Sequence, residues 1–99
     1  MKCPNFIEIR LKYENHSFSA QYGLVNSQVL ISFPVIDTDE KAQQICKKLS
    51  VSRGQEIVVQ INDIPMCGKI ATCSFTWNEQ KNAFRDFNII FYNKFVIVE

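Results

Sequence analysis

Only one place in this 99-residue sequence brings together residue types that could sketch a covalent chemistry: Cys67, directly before Gly68, with Asp63 four positions earlier and His16 as the lone imidazole. A cysteine nucleophile needs a base within hydrogen-bond reach and donors for an oxyanion. Nothing in this spacing supplies either, so Cys67 reads as a loop thiol without a catalytic role. Asp37, Asp39 and Glu40 form an acidic cluster that could suggest a metal. Calcium loops of alternating acids also carry a glycine and a distal glutamate, which are missing here, and helix capping accounts for all three acids. The four cysteines include no CxxC pair, and none stands near the histidine in sequence, which argues against a structural zinc site. No Walker A loop, GxGxxG, HExxH or GxSxG occurs. The sequence therefore predicts no catalytic residue, no metal and no cofactor.

Two basic groups could serve binding. Arg10 and Lys12, near Tyr13 and Tyr22, could form a sheet platform for single-stranded nucleic acid. Such platforms need aromatic rings on the open face, and these rings share the face of Ile7, Ile9 and Leu11. Lys47, Lys48 and Arg53 cluster at the end of the predicted helix, where cations suit the negative dipole end or an acidic partner.

The elements that position these residues are mostly strands. Ile7, Ile9, Leu11 and Tyr13 alternate with Glu8, Arg10 and Lys12, the period of a half-buried strand. Glu14, Asn15 and His16 turn the chain into a hairpin partner carrying Phe18, Ala20 and Tyr22 on one face. Residues 29–33 are apolar without alternation, as in a strand covered on both faces, and Pro34 either ends the strand or places it at an edge. A helix is predicted over residues 37–50. Asp37 is its N-cap, Glu40 completes a capping box, and Ala42, Ile45, Cys46 and Leu49 make an apolar stripe. Gly54 stops it. Ile57, Val59 and Ile61 begin a second set of strands. Residues 62–68 read as a loop and 70–77 as a strand, with 78–82 as a hairpin loop. Phe87, Ile89 and Phe91 follow. The end, residues 95–98, is either a new strand after a tight turn at Asn93 and Lys94 or part of one long bent strand.

Composition bounds the rest. An apolar fraction of 46% with eight Phe, three Tyr and one Trp describes one globular domain spanning 1–99. A formal charge of +1 disfavours a duplex-DNA binder. The absence of a long apolar run, together with the cysteine pattern, predicts free thiols in a cytoplasmic or nuclear protein that does not enter a membrane.

The basic helix from Lys41 to Leu49 with the strand from Gln55 to Ile61 resembles the late helix–strand element of the small chaperones that assist proteasome α-ring assembly. That resemblance implies an assembly subunit and assigns no individual residue a role.

One helix of about 13 residues is roughly 20 Å long and covers three or four strands spaced about 4.8 Å apart. The expected fold is α+β: a curved antiparallel sheet of six to seven strands, sandwich- or barrel-like, with one main helix. Val58, Ile90, Val96 and Val98 add apolar side chains on the opposite faces of these strands. Either the sheet closes on itself, or part of it is an interface with a protein partner or a second copy. The expected function is non-enzymatic protein binding by a complex subunit or assembly factor. Phe91, Phe95 and Ile97 are the expected anchors and Lys47 and Lys48 a weaker rim. Single-stranded nucleic-acid binding is the alternative.

Overall fold

The computed structural model describes residues 6–33 and 40–98. The chain runs β1 (Ile7–Tyr13), β2 (His16–Val25), β3 (Gln28–Phe33), α1 (Glu40–Ser50), β4 (Glu56–Ile61), β5 (Ile64–Asn78), β6 (Ala83–Phe91) and β7 (Val96–Ile97). All strand pairings are antiparallel, in the order β4-β1-β2-β3-β6-β5-β7, and a further β4–β5 pairing closes six strands into a barrel with β7 appended. The α+β curved sheet with one main helix expected from the sequence is the fold observed. The apolar sheet finds its cover by closing on itself.

Three of the connections are two-residue hairpin turns in which both residues have positive φ: Glu14 and Asn15, Asn26 and Ser27, Asn62 and Asp63. This is the geometry that matches the right-handed twist of paired strands, and Asn and Asp tolerate it best among non-glycine residues. The third turn corrects the sequence reading of a loop over residues 62–68. The turn is complete at Asp63, and the chain re-enters the sheet at Ile64, paired with Ile61. Pro65 and Gly68 look like loop residues but lie inside β5. The Pro65 carbonyl accepts a bond from Val98 N at 3.0 Å, and Gly68 makes room for a ring.

β5 is the strand on which closure depends. Its first part pairs with β4 from Ile64 to Lys69, and its second part pairs with β6 from Ile70 to Asn78. β6 and β7 run in the same direction along β5, with Phe91 opposite Ile70 and Val96 opposite Cys67. The end of the chain is thus one interrupted strand, not a new hairpin arm. Among the junctions that close the six-stranded barrel, the β1–β4 seam is the shortest, with two paired positions, Leu11 with Ile61 and Lys12 with Gln60. Asn62 extends it: its N–H donates to Arg10 O at 2.9 Å, and its Oδ1 accepts from Arg10 N at 2.9 Å.

Inside the barrel the alternate residues of each strand form the core. Val29, Ile31, Phe33, Ile70, Phe87, Ile89 and Phe91 are almost wholly buried. α1 closes one end with Ala42, Ile45, Cys46 and Leu49. It is tied there by three contacts. The side-chain amide of Gln43 donates to Phe84 O at 3.1 Å and accepts from Phe84 N at 2.6 Å, bonding the β6 backbone as a strand neighbour would. Cys73 Sγ lies 3.5 Å from Leu49 O, and Lys48 pairs with Glu14 in the β1–β2 turn. The predicted N-cap Asp37 and the flanking Pro34, Val35, Ile36 and Asp39 lie outside the described residues. After the helix, Gly54 takes φ +83° with open space around it, which suits the stop read from the sequence.

Candidate functional site

No helix among the described residues covers the end of the barrel opposite α1. Register and parity place four inward-facing apolar residues there, one from each of four strands. Ile7 opposes Tyr22, Leu24 opposes buried Val29, Ile64 opposes buried Ile61, and Ile97 opposes Met66. Each belongs to the row that elsewhere forms the core, yet they are 58%, 48%, 44% and 59% exposed. Fully burying such a side chain is worth about 1.5–3 kcal/mol. Each rim residue left half in water therefore forgoes about 1 kcal/mol.

Beneath the rim Phe95 acts as a stopper. Its ring centroid is 4.6 Å from that of Phe91 and 6.4 Å from that of Tyr22, and the Cδ1–Cε1 edge of the ring sits over Gly68 of β5. A Cβ on residue 68 would come within 2.0 Å of Phe95 Cε1, so only glycine allows this position. Tyr22, Met66 and Phe95 are partly buried against the core and form the floor under the four rim residues. Outside the barrel, next to the same mouth, Val96 and Val98 are 67% and 39% exposed. Val96 continues a row across the wall through Cys67 to Val58. Among the described residues β7 pairs with β5 alone, which leaves its second edge without a described neighbour.

The residues read from the sequence as partner anchors fall at this end of the barrel but at three depths. Phe91 is core, 1% exposed, and cannot touch a partner. Phe95 is the half-buried stopper, and Ile97 is on the rim. Lys47 and Lys48 do not border this surface. They lie on α1 at the closed end, where Lys48 is held by Glu14 and stands 5.8 Å from the Tyr13 ring centroid. The Glu14 carboxylate raises the Lys48 pKa. β1 alone separates the two ends by roughly 20 Å at 3.3 Å per residue, so these lysines are no rim for the anchors. Sequence reading missed all three of the other rim residues: alternation marks Ile7 as ordinary core, Leu24 follows Gly23 where the strand pattern stops, and Ile64 falls in the stretch read as a loop.

The other candidates do not assemble. Cys67 is on the outer wall of β5, not in a loop, and its polar neighbour is the Glu56 carboxylate at 4.0 Å. Asp63 is in a turn at the open mouth, whereas His16 starts β2 near the helix-capped end and packs edge-on to Phe18 at 4.7 Å. Burial pushes the Cys46 thiol up to about 12, with Cys73 adding to the shift, and pushes Cys73 up to about 11; both are poor nucleophiles as neutral thiols. Cys46, Cys67 and Cys73 are free thiols, and no grouping of His, Cys, Asp or Glu among the described residues could hold a metal ion.

Arg10 and Lys12 lie on the outer face with Glu8, Ser17, Ser19 and Gln21, a face without an aromatic ring on β1 and β2. The cleft of about 590 Å³ on this wall is lined by Glu8, Arg10, Ser19, Gln21, Asn62 and Asp63. Its two acids face one arginine, so it concentrates no positive charge. No helix among the described residues is long and apolar enough to cross a membrane. No family model, curated protein or solved structure matches the chain.

Proposed function

We propose that this protein is a non-enzymatic binding module that engages another protein chain through the open mouth of its barrel and the adjoining edge of β7. The observation that carries this reading is the set of Ile7, Leu24, Ile64 and Ile97, four core-type side chains left exposed together at one end. Isolated apolar residues on a surface are ordinary, but a contiguous group marks an interaction surface. The β7 edge adds main-chain groups without a described neighbour beside that surface, the arrangement used in strand addition. Affinity would come from rim burial and main-chain bonds, and selectivity from the side chains that fit over Phe95.

The role of subunit or assembly factor belongs to the same reading and rests on the same surface. Nucleic-acid binding at Arg10 and Lys12 is the weaker reading, since that wall offers no ring for base stacking. The test is a comparison of affinity purifications from the native source, using the wild-type chain and Ile7→Ser/Ile97→Asp. Partners retained by the wild type and lost by the variant support the reading. The same proteins retained by both would refute it.

A further inference from the structure

We infer that the occupant of the open mouth is a second copy of this chain, in a two-fold, end-to-end dimer. This rests on the binding reading above and names its partner. Four observations point the same way. First, the four rim residues stand on four strands at one end of the barrel, so two such ends can meet with both sets buried in one shared core.

Second, β7 extends from that end, and among the described residues only β5 pairs with it. Antiparallel pairing of β7 with its own copy about a two-fold axis joins Val96 to Val96, or Ile97 to Ile97, and keeps inward residues facing inward. A surface patch that is complementary to itself is what a two-fold interface requires.

Third, the area fits. A stable interface of standard size takes roughly 800 Å² from each partner. Homodimer interfaces are about 65% apolar, so this one needs on the order of 500 Å² of apolar surface per copy. An aliphatic residue about half exposed presents roughly 80–100 Å². Ile7, Leu24, Ile64 and Ile97 thus supply most of the requirement, and Val96 and Val98, on the outer face of the β7 edge that pairs with its copy, supply the rest.

Fourth, a formal charge of +1 sets up almost no repulsion between copies. In this dimer Phe95 becomes the central residue of the interface, with Ile97 above it and Tyr22 beside it. The helix-capped ends, with Lys47 and Lys48, point outward at the two extremes.

Sedimentation velocity on the purified full chain between about 1 and 200 μM tests this. The expected result is a mass moving from one chain toward two as concentration rises. Ile97→Asp is expected to weaken association at least 100-fold, and Leu24→Lys, on a different strand of the same rim, should do likewise. Val51→Asp changes an exposed residue beyond the helix end and should leave association unchanged. Circular dichroism melts at 1 μM report whether each variant is folded, and with two rim variants on separate strands one misfolded protein does not decide the outcome. A wild-type chain that stays at single-chain mass up to 200 μM overturns the dimer. So does association that survives both rim variants. The binding reading is judged separately: a monomeric wild type that retains a partner which Ile97→Asp loses keeps the module and removes only the self-partner.

Discussion

Replacing Gly68 with alanine tests the arrangement of the open mouth most directly. The added methyl would lie 2.0 Å from Phe95 Cε1, 2.3 Å from Cδ1 and 3.0 Å from Phe91 Cδ2. Carbon atoms in contact sit at about 3.5–4.0 Å, so the Phe95 ring must retreat by roughly 1.5 Å or leave. Its half-buried area and its edge contact with Phe91 are then lost. Overpacking of this kind costs about 1–3 kcal/mol. Against that stands a gain of about 0.4–1 kcal/mol, because alanine restricts the unfolded chain more than glycine does. A net loss of about 1–2 kcal/mol remains, which lowers the melting temperature of a domain this size by roughly 4–16 °C. The cause is identified by repeating the substitution on a Phe95→Ala background, where the clash has no ring to meet. There Gly68→Ala should be neutral or slightly stabilising, giving a coupling energy of at least about 1 kcal/mol in the double-mutant cycle. Urea unfolding of the four proteins measures it. Equal destabilisation with and without the ring would refute the account of Phe95 as a stopper seated on a glycine.

Three further outcomes are expected. Gln43→Ala removes both bonds to Phe84 and should cost about 1–2 kcal/mol in denaturant unfolding, with Gln43→Glu only partly restoring it because a carboxylate cannot donate to Phe84 O. Ser27→Gly should raise stability by about 0.5–1 kcal/mol, since Ser27 holds φ 66° without the local help that Asn and Asp give, and thermal melts will read it. Folding raises the Cys46 and Cys73 thiols above their ordinary value, so the folded state holds more protons than the unfolded state between about pH 9 and 12. Stability is therefore complete below about pH 8 and falls as pH rises through that window; melts of Cys46→Ala should show a shallower decline.

Much of the wall could be read from the sequence because its signal is local. The alternation of Ile7, Ile9 and Leu11 against Glu8, Arg10 and Lys12 gives β1 with its bounds, and the stripe from Ala42 to Leu49 gives the buried side of α1. The misreading of residues 62–68 has a tertiary cause. Pro65 and Gly68 normally interrupt strands. Here one loses only a donor, and the other is small because a ring from a distant segment must lie on it. Closure of the barrel depends on pairs such as Arg10 with Asn62, separated by 52 positions, and no periodicity encodes that distance. The candidate site was half legible for the same reason. Alternation identifies Ile7 as inward-facing, whereas Leu24 and Ile64 gain that facing only from the register with Val29 and Ile61, and only the staggered ends of the closed wall decide which inward residues run out of neighbours. Phe91 and Ile97 look alike in sequence and differ by four positions along β5, the first opposite Ile70 and the second opposite Met66.

The two-pair junction between β1 and β4 gives the wall a preferred place to unzip. Every other strand boundary among the six that close the barrel has at least five rungs, whereas this one relies on Leu11, Lys12 and the Asn62 side chain. Amide hydrogens at Arg10 and Asn62 should therefore trade with deuterium well before those of β3 and β6, through a breathing motion that leaves the other staves in place. Such a hinged slit would let the cylinder widen around an incoming side chain without melting, giving a small barrel some give at the one point where its hoop is thin.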